Sequence, residues 1–188
     1  MKKLTIFVDM DDTIENLGDA WRSWLNDKYG LNVRADEITY WEAFVQEYGR
    51  FGLTREQVYE PLKYEPGFWR TVEPKPDAVE YLKKLIDDQH SVFILTNSFG
   101  PVMYQKIQYA LFEHFPYLSH HDVIIASDKS LFSGDVIVDD YEGNLIYSKC
   151  NHRILYNAVH NKNFSNDSFG IIRKNNWEDI YNYINLIG

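Results

Sequence analysis

The sequence predicts an α/β fold built on a doubly wound parallel sheet, because apolar runs that suit buried strands alternate with amphipathic helical patterns. Four runs are rich in apolar and β-branched residues, and they occupy 4–9, 91–96, 123–126 and 135–139. Two weaker strand candidates lie at 154–158 and 169–172. The helical patterns cover 76–88, 101–114 and 176–187. Strand and helix therefore alternate through the second half of the chain.

Two of these helices have a recognisable beginning. Pro76 and Pro101 each stand at the head of a helical pattern, where the missing N–H of proline costs nothing. The first of the two helices carries apolar residues at helical spacing, namely Ala78, Val79, Leu82, Leu85 and Ile86. We expect this face to pack on the sheet.

The interval 14–75 interrupts the alternation of strands and helices. It is rich in aromatic residues and has no convincing buried strand, but it contains helical segments near 17–29, 36–48 and 54–61. We interpret it as a helical cap inserted after the first strand, with the core domain formed by 1–13 and 76–188. Ligands bind at the carboxyl ends of the strands in an open α/β sheet, so a cap at this place would cover the site.

The composition excludes several classes of protein. The 188 residues carry a formal net charge of -9, which argues against a nucleic acid polymer or an anionic membrane as partner. The single cysteine, Cys150, has no base partner in the sequence and cannot form an intrachain disulfide, so we expect it to be inert. The chain shows neither a signal peptide nor an apolar stretch of about 20 residues. These features predict a soluble protein of a reducing, cytoplasmic compartment.

Polar side chains collect where the predicted strands end. These residues are Asp9, Asp11, Asp12 and Thr13 after the first strand, Thr96 and Asn97 at the second, Asp128 and Lys129 after the third, and Asp139 and Asp140 at the fourth. Parallel strands place their carboxyl ends on one edge of the sheet. The sequence therefore predicts that acids, a hydroxyl and a lysine meet in one crevice.

Such a crevice suits phosphoryl chemistry. Crowded carboxylates repel one another, so some must be protonated or bind a cation, and oxygen ligands around an open position suit Mg²⁺. A metal ion beside a lysine and a hydroxyl favours a phosphoryl group as ligand. One carboxylate can then attack phosphorus to form an aspartyl-phosphate, while a second protonates the leaving alkoxide and later activates water.

In their order and approximate spacing, these residues resemble the four motifs of the haloacid dehalogenase superfamily. The motifs are a strand ending in DxDx[TV], a strand ending in Thr or Ser, a lysine, and an acidic pair that closes a strand. Here they correspond to 9–13, Thr96, Lys129, and the pair Asp139 and Asp140. The resemblance covers nearly the whole chain and implies a Rossmann-like core with a small cap.

The chain also resembles the 5′(3′)-deoxyribonucleotidase family within that superfamily. The stretches that carry this resemblance are VDMDDTIEN, VFILTNS, ASDKSLFSGDVIVDD, ILYNAVHN and the FW pair before EPKPDAVEYLKKL. The resemblance implies Mg²⁺-dependent hydrolysis of deoxyribonucleoside monophosphates through an aspartyl-phosphate. The partner would be a small phosphomonoester, and a homodimer is left open.

The family resemblance also implies roles for the acids. Asp9 would be the nucleophile and a metal ligand. Asp11 would be the general acid and base, and its backbone carbonyl would also bind the metal. Asp139 would be the third protein ligand to Mg²⁺. Asp140 would support the metal through a water molecule or from behind the direct ligands.

The same resemblance assigns the phosphate and base contacts. Thr96 and Lys129 would hold the phosphoryl oxygens, with help from Asn97. The family often places an aromatic residue near the base where this chain has Leu17, so base stacking falls to other aromatic residues of the insertion. The candidates are Trp41, Phe44, Phe68 and Trp69, although each of them is also a candidate for the core.

Three further residues allow alternative interpretations. Asp12 stands where the family commonly has glycine and would add negative charge near the phosphate. Asp135 could replace Asp139 as the metal ligand, because some relatives use a GDxxxD form, but it begins a predicted strand and so lies at the other edge. His160 is expected to satisfy local polar groups rather than to act in catalysis.

Two other functions share parts of this pattern. A phospho-accepting receiver domain also gathers acids, a hydroxyl and a lysine at strand ends. It would be shorter, would lack the insertion and would carry its phospho-accepting acid on a later strand. A phosphatase for a sugar phosphate would keep the mechanism, and only the aromatic insertion favours a nucleobase over a sugar.

Overall fold

A computed structural model describes residues 2–40, 42–98, 100–165 and 169–188. Its centre is a six-stranded, wholly parallel sheet with the strand order β3-β2-β1-β4-β5-β6. The strands are β1 (Thr5–Val8), β2 (Ser91–Thr96), β3 (Val123–Ile125), β4 (Val136–Asp139), β5 (His152–Tyr156) and β6 (Ile171–Lys174). The reversal of strand order beside β1 confirms the predicted doubly wound sheet.

The two weaker strand candidates are real strands with different bounds. β5 begins two residues before the predicted start, because the half-buried His152 and Arg153 also belong to the ladder. β6 begins two residues after the predicted start and extends through the half-buried Arg173 and Lys174. Apolar content alone therefore misplaced the bounds of both strands. β3 was expected to be fully buried, which is wrong, since it is an edge strand and Ile125 is 44% exposed.

The insertion between β1 and the next strand is helical in its described part. It contains α1 (Leu17–Tyr29), α2 (Ala43–Gly49) and α3 (Arg55–Lys63), with 3₁₀ turns at Ala35–Glu37 and Phe68–Thr71. The prediction of one helix over 36–48 is wrong. Ile38 leaves the helical region at φ -91° and ψ 78°, and the neighbouring β-branched pair Ile38-Thr39 has low helix propensity.

Four further helices flank the sheet. They are α4 (Ala78–Asp87), α5 (Met103–Gln105), α6 (Glu142–Ile146) and α7 (Trp177–Ile187). The predicted helix over 101–114 is α-helical only in α5, which continues as a π-helical segment at Lys106–Phe112. No helix in the described ranges has both the length and the apolar character needed to cross a membrane.

Alternate residues of the strands supply two separate apolar clusters. Ile6 and Val8 face a large cluster that also includes buried residues of α1, α2, α4 and α7. Phe7 and Ile137 face a smaller cluster that includes Leu145 of α6. The insertion therefore shares its core with one face of the sheet. Its status as a separate domain stays a prediction.

Asp12 links the loop after β1 to the first helix of the insertion. Its φ of 51° lies in the left-handed region, which glycine adopts most easily and aspartate tolerates. The N–H of Gly18 donates to both carboxylate oxygens of Asp12, at 3.0 and 3.2 Å. A Cβ atom on Gly18 would lie 2.7 Å from Asp12 Oδ2, so this close approach requires glycine.

We predict that Gly18→Ala lowers the free energy of unfolding by about 1 kcal/mol or more, because the added methyl group displaces the carboxylate that caps α1. Thermal and urea unfolding would measure the change. Gly49→Ala is the matched control, because it adds a methyl group to a helix in open space. Equal effects of the two substitutions would contradict the proposed capping contact.

Candidate active site

The carboxylates of Asp9 and Asp139 are brought together by the register of the central strands. Val8 pairs with Val138, and the N–H of Asp9 donates to the Val138 carbonyl at 2.9 Å. Asp9 follows β1 directly, while Asp139 is the last residue of β4. Both side chains are buried. The ends of β1 and β4 therefore lie side by side, as the sequence predicts.

Lys129 bridges the two carboxylates. Its Nζ atom lies 2.5 Å from Asp9 Oδ1 and 2.7 Å from Asp139 Oδ2. Burial opposes the charge on this lysine, but the carboxylates of Asp139 and Asp9 outweigh it and raise the pKa of Lys129 above its ordinary value. The residue lies in the 3₁₀ turn Lys129–Leu131, which leads from β3 towards β4. It is thus a permanent cation between two acids.

Two polar groups from the following loop orient Asp139. The N–H of Tyr141 donates to Oδ1 at 2.9 Å, and the Asn144 side chain donates to Oδ1 and Oδ2 at 3.1 and 3.0 Å. Burial raises the pKa of Asp139 to about 6, and Lys129 opposes this rise. Sequence reasoning missed Asn144, because an asparagine in a short helix carries no pattern of its own.

A second buried lysine, Lys106, contacts the other predicted catalytic acid. Its Nζ atom lies 2.6 Å from Asp11 Oδ2, 2.9 Å from Thr96 Oγ1 and 2.9 Å from the Asn97 carbonyl. Sequence analysis missed this residue because it lies inside a helical segment rather than at a strand end. The available signal was its position one turn before Ala110, on the face that is buried.

The environment of Asp11 favours its protonated form more than solution does. Burial raises the pKa of Asp11, Lys106 opposes the rise, and the nearby Asp9 adds to it. The neighbouring Glu15 is fully buried. Burial and then the Asp11 carboxyl raise the pKa of Glu15 well above its ordinary value. Asp11 is therefore easier to protonate here than in solution, which is the direction that a proton donor needs.

The residues at this edge fit a hard divalent cation. Asp9, Asp139 and Asp140 each place a carboxylate oxygen within 4.8 Å of the others. An all-oxygen donor set in this arrangement is what Mg²⁺ prefers. Asp135 is not part of it, because it accepts hydrogen bonds from Thr5 N and Lys2 Nζ at the amino edge of the sheet. Asp135 is thereby removed as an alternative to Asp139.

Thr96 and Asn97 occupy the end of β2, as the sequence predicts. Thr96 is buried, and its hydroxyl lies beside Lys106. Asn97 is exposed, and the contact to Lys106 comes from its backbone carbonyl. Lys106 contacts both of these residues and also Asp11, so it connects the end of β2 to that acid. The contact of Thr96 and Asn97 with phosphoryl oxygens stays a prediction.

The four aromatic candidates for base stacking have different surroundings. Trp41 lies outside the described residues. Phe44 is stacked on Trp21 with ring centres 3.9 Å apart, and one side of it lines a cavity. Phe68 is 2% exposed and meets the ring of Trp69 edge-on at 5.5 Å. Trp69 itself lies 5.3 Å from Nζ of Lys106, the lysine that contacts the predicted catalytic acid Asp11.

A cavity of about 520 Å³ lies between the insertion and the loop after β5. Polar residues of its wall include Asp12, Asn16, Lys75 and His160. His160 Nε2 lies 2.6 Å from Asp140 Oδ2, so the histidine contacts the acidic pair rather than only its own loop. His160 was expected to satisfy only polar groups of its own surroundings, but it also contacts an acid at the edge of the candidate active site.

The chain is similar to one described protein family and to named bacterial relatives. Residues 2–187 match the family model described as 5′ nucleotidase, deoxy (Pyrimidine), cytosolic type C protein. A 5′(3′)-deoxyribonucleotidase of Bacillus subtilis is 27% identical over 96% of this chain and 97% of the relative. A protein of the same name from Clostridium acetobutylicum is 29% identical over 86% of each chain.

Solved structures with low sequence identity share the fold. A haloacid dehalogenase-like family hydrolase from Xanthomonas campestris superposes with a TM-score of 0.56 at 15% identity, over 98% of this chain and 96% of the other. A HAD phosphatase from Thermococcus onnurineus gives 0.53 at 14% identity, over 97% and 98%. These matches confirm the haloacid dehalogenase-like fold. Since the family model spans almost every residue, the chain belongs to the family of deoxy (pyrimidine), cytosolic type C 5′-nucleotidases.

Proposed function

We propose that this chain is a Mg²⁺-dependent phosphomonoesterase that hydrolyses deoxyribonucleoside monophosphates. One observation carries the chemical part of the proposal. Asp9 and Asp11 leave the same loop, but Asp9 contacts Lys129 and Asp11 contacts Lys106. The two acids therefore have separate electrostatic environments, as a nucleophile and a proton donor require.

In the first step, an Asp9 carboxylate oxygen attacks phosphorus and forms an aspartyl-phosphate. The bond between phosphorus and the ester oxygen breaks, and the leaving alkoxide takes the proton of Asp11. In the second step, the Asp11 carboxylate takes a proton from water while that water attacks phosphorus. Inorganic phosphate leaves, and the Asp9 carboxylate and protonated Asp11 are restored.

The lysines and the cation would stabilise the charge of the phosphoryl group. Lys129 and Lys106 are buried ammonium groups on two sides of the carboxylates, and each is held in place by at least two hydrogen bonds. Fixed donors of this kind stabilise charge without reorganisation. Mg²⁺, held by Asp9, Asp139 and the Asp11 carbonyl and supported by Asp140, would act as a Lewis acid on a phosphoryl oxygen.

The support for Mg²⁺ comes from the donor set and from a structural neighbour. The neighbour is described as a HAD-like hydrolase of Bacillus subtilis bound to magnesium, and it superposes with a TM-score of 0.58 at 15% identity, over 98% of this chain and 100% of the other. The carboxylates of this chain that would hold the ion are buried and converge. These buried, converging carboxylates are the chemical reason to expect Mg²⁺ at this site.

The choice of a nucleotide rests on the relatives and on the aromatic insertion. The curated relatives are named for deoxyribonucleotides. Trp69 offers a flat ring beside Lys106, and its indole N–H is buried without a hydrogen bond from the described residues. Trp69 is only 4% exposed, but a buried indole N–H usually has a partner, and the polar edge of a base could accept this hydrogen bond. Phe44 offers a second ring at the wall of the cavity.

Two broader expectations accompany this proposal. The acidic charge and the single cysteine support a cytoplasmic location. A homodimer stays a prediction. The receiver-domain alternative loses its support, because the family match covers residues 2–187 and includes the insertion.

The substrate assignment predicts phosphate release led by a deoxyribonucleoside monophosphate. The measurement is a panel of deoxyribonucleotides, ribonucleotides and sugar phosphates, each with Mg²⁺ and with EDTA. We expect EDTA to abolish release, because the carboxylates then lack the cation that neutralises them. Release led by a sugar phosphate would keep the chemistry and reject the nucleotide assignment.

The roles of the two acids predict different kinetic defects. Asp9→Asn should show no turnover above background, because the nucleophile is lost while the shape is kept. Asp11→Asn should lower turnover of a nucleotide by about 10²–10⁴-fold, because the leaving alkoxide is no longer protonated. Rapid-mix assays with p-nitrophenyl phosphate, whose leaving group needs no proton, should show a burst followed by slow hydrolysis in Asp11→Asn. Burst formation in Asp9→Asn would contradict the assignment of the nucleophile.

The position of Lys106 predicts that Lys106→Met lowers kcat/KM by about 100-fold or more, because one fixed cationic donor beside the phosphoryl group is lost. Methionine keeps most of the aliphatic packing. Lys83→Met is the matched control, since Lys83 is an exposed helical lysine paired with Asp87 at 2.7 Å. An unchanged kcat/KM in a folded Lys106→Met protein would remove this lysine from the site.

A further inference from the structure

A second group of potential metal ligands lies beside the candidate Mg²⁺ site. Asp12, Asp140 and His160 each place one ligand atom within 4.8 Å of the others. Asp12 and Asp140 are buried, and the His160 side chain is only 11% exposed. The three residues come from the loops after β1, β4 and β5, which are neighbours in the sheet. The group therefore depends on the fold and not on one local motif.

The Asp140 side chain points into this group. Its Oδ1 atom accepts a hydrogen bond from Thr13 Oγ1 at 3.3 Å. Its Oδ2 atom is buried and lies 2.6 Å from His160 Nε2, so the two side chains form an ion pair when the histidine is protonated. An imidazole nitrogen and a carboxylate oxygen are both metal ligands, so a divalent cation would take the place of the proton between them.

The charge balance also favours another cation. Six carboxyl groups lie at this edge, namely Asp9, Asp11, Asp12, Glu15, Asp139 and Asp140. Within the described ranges, three lysines contact members of this set, namely Lys75, Lys106 and Lys129. These three lysines and one Mg²⁺ carry five positive charges beside six carboxyl groups, before any substrate arrives. A substrate phosphate adds about two negative charges, which a second divalent ion would offset.

We propose that Asp12, Asp140 and His160 form a second divalent-cation site, which shares the Asp140 carboxyl group with the neighbouring Mg²⁺ site. An imidazole nitrogen beside two carboxylates is a donor set for Mn²⁺, Co²⁺ or Zn²⁺ rather than for Mg²⁺. The two sites would therefore differ in metal preference. Asp12, at the position where the family resemblance expects glycine, supplies a ligand that glycine lacks.

The cavity provides a route to this second site. Asp12 and His160 both line its wall, and so does Lys75, whose Nζ atom is 3.8 Å from Asp12 Oδ1. A metal ion bound here would displace the Lys75 ammonium from Asp12, which a small rotation of the lysine side chain allows. The Gly18 N–H already orients the Asp12 carboxylate, so the ligand is held in place before an ion binds.

The test measures metal binding to the full-length chain with Mg²⁺ in excess, so that the first site is filled. Co²⁺ is the probe, because its visible absorption reports bound nitrogen and oxygen ligands, and Mn²⁺ counted by EPR gives the stoichiometry. We expect one equivalent of Co²⁺ or Mn²⁺ to bind beside Mg²⁺ in the wild-type protein. His160→Gln should weaken this binding by more than about tenfold and remove the Co²⁺ absorption.

Two further variants complete the test. His152→Gln is the matched control, because His152 lies at the amino end of β5, away from the turn after β5 that carries His160, and contacts Tyr183 at 2.8 Å. It should bind Co²⁺ like the wild type. Asp12→Asn keeps the acceptor for Gly18 but loses the anionic ligand, so it should weaken Co²⁺ binding even if His160→Gln fails to fold.

No added Co²⁺ or Mn²⁺ in the wild-type protein would overturn the proposal and leave His160 as an ion-pair partner of Asp140. Binding that is unchanged in both His160→Gln and Asp12→Asn would overturn it as well. Because the readout is metal binding, the result is independent of the proposed phosphatase activity. A chain that hydrolyses no phosphomonoester but binds Co²⁺ through His160 would reject the proposed function and sustain this second site.

Discussion

Six carboxyl groups crowd the edge where the parallel strands end, and their mutual repulsion sets the demands on the surrounding structure. Lys129 reaches Asp9 and Asp139 from a turn that precedes β4. Lys106 reaches Asp11 from the π-helical segment on the other side of the site. Each ammonium is buried, which is tolerable only because the acids surround it. The acids and the two lysines therefore stabilise one another and do not act as independent residues.

The insertion depends on the same edge of the sheet. It begins in the loop that carries Asp9 and Asp11, and Asp12 accepts the N–H of Gly18 in its first helix. Trp177 of the last helix donates its indole N–H to the Thr13 carbonyl at 3.0 Å, which holds this loop in place. Trp69, near the end of the insertion, belongs to the core and also lies 5.3 Å from Lys106 Nζ. The insertion is therefore tied both to the core and to the candidate site.

Sequence reasoning found the residues that follow strands, because a buried apolar run ending in an acid is a strong local signal. Asp9, Asp139 and Thr96 lie where that reasoning placed them. It missed Lys106, since a lysine in a helical pattern is ordinarily a solvated residue. It also misjudged the helix over 36–48, where tertiary packing of Ile38 prevails over a weak helical pattern.

The sequence by itself determined the alternation of strands and helices, the place of the insertion and the family, because these depend on periodicity and on contiguous motifs. Only the tertiary structure decided which lysine serves which acid, that Asn144 orients Asp139, and that His160 meets Asp140. These partners are separated in the chain, and no pattern along the sequence records a contact made across loops. Strand order and register bring them within a few ångströms of one another. The strength of each electrostatic interaction then depends on burial, which only the folded chain creates.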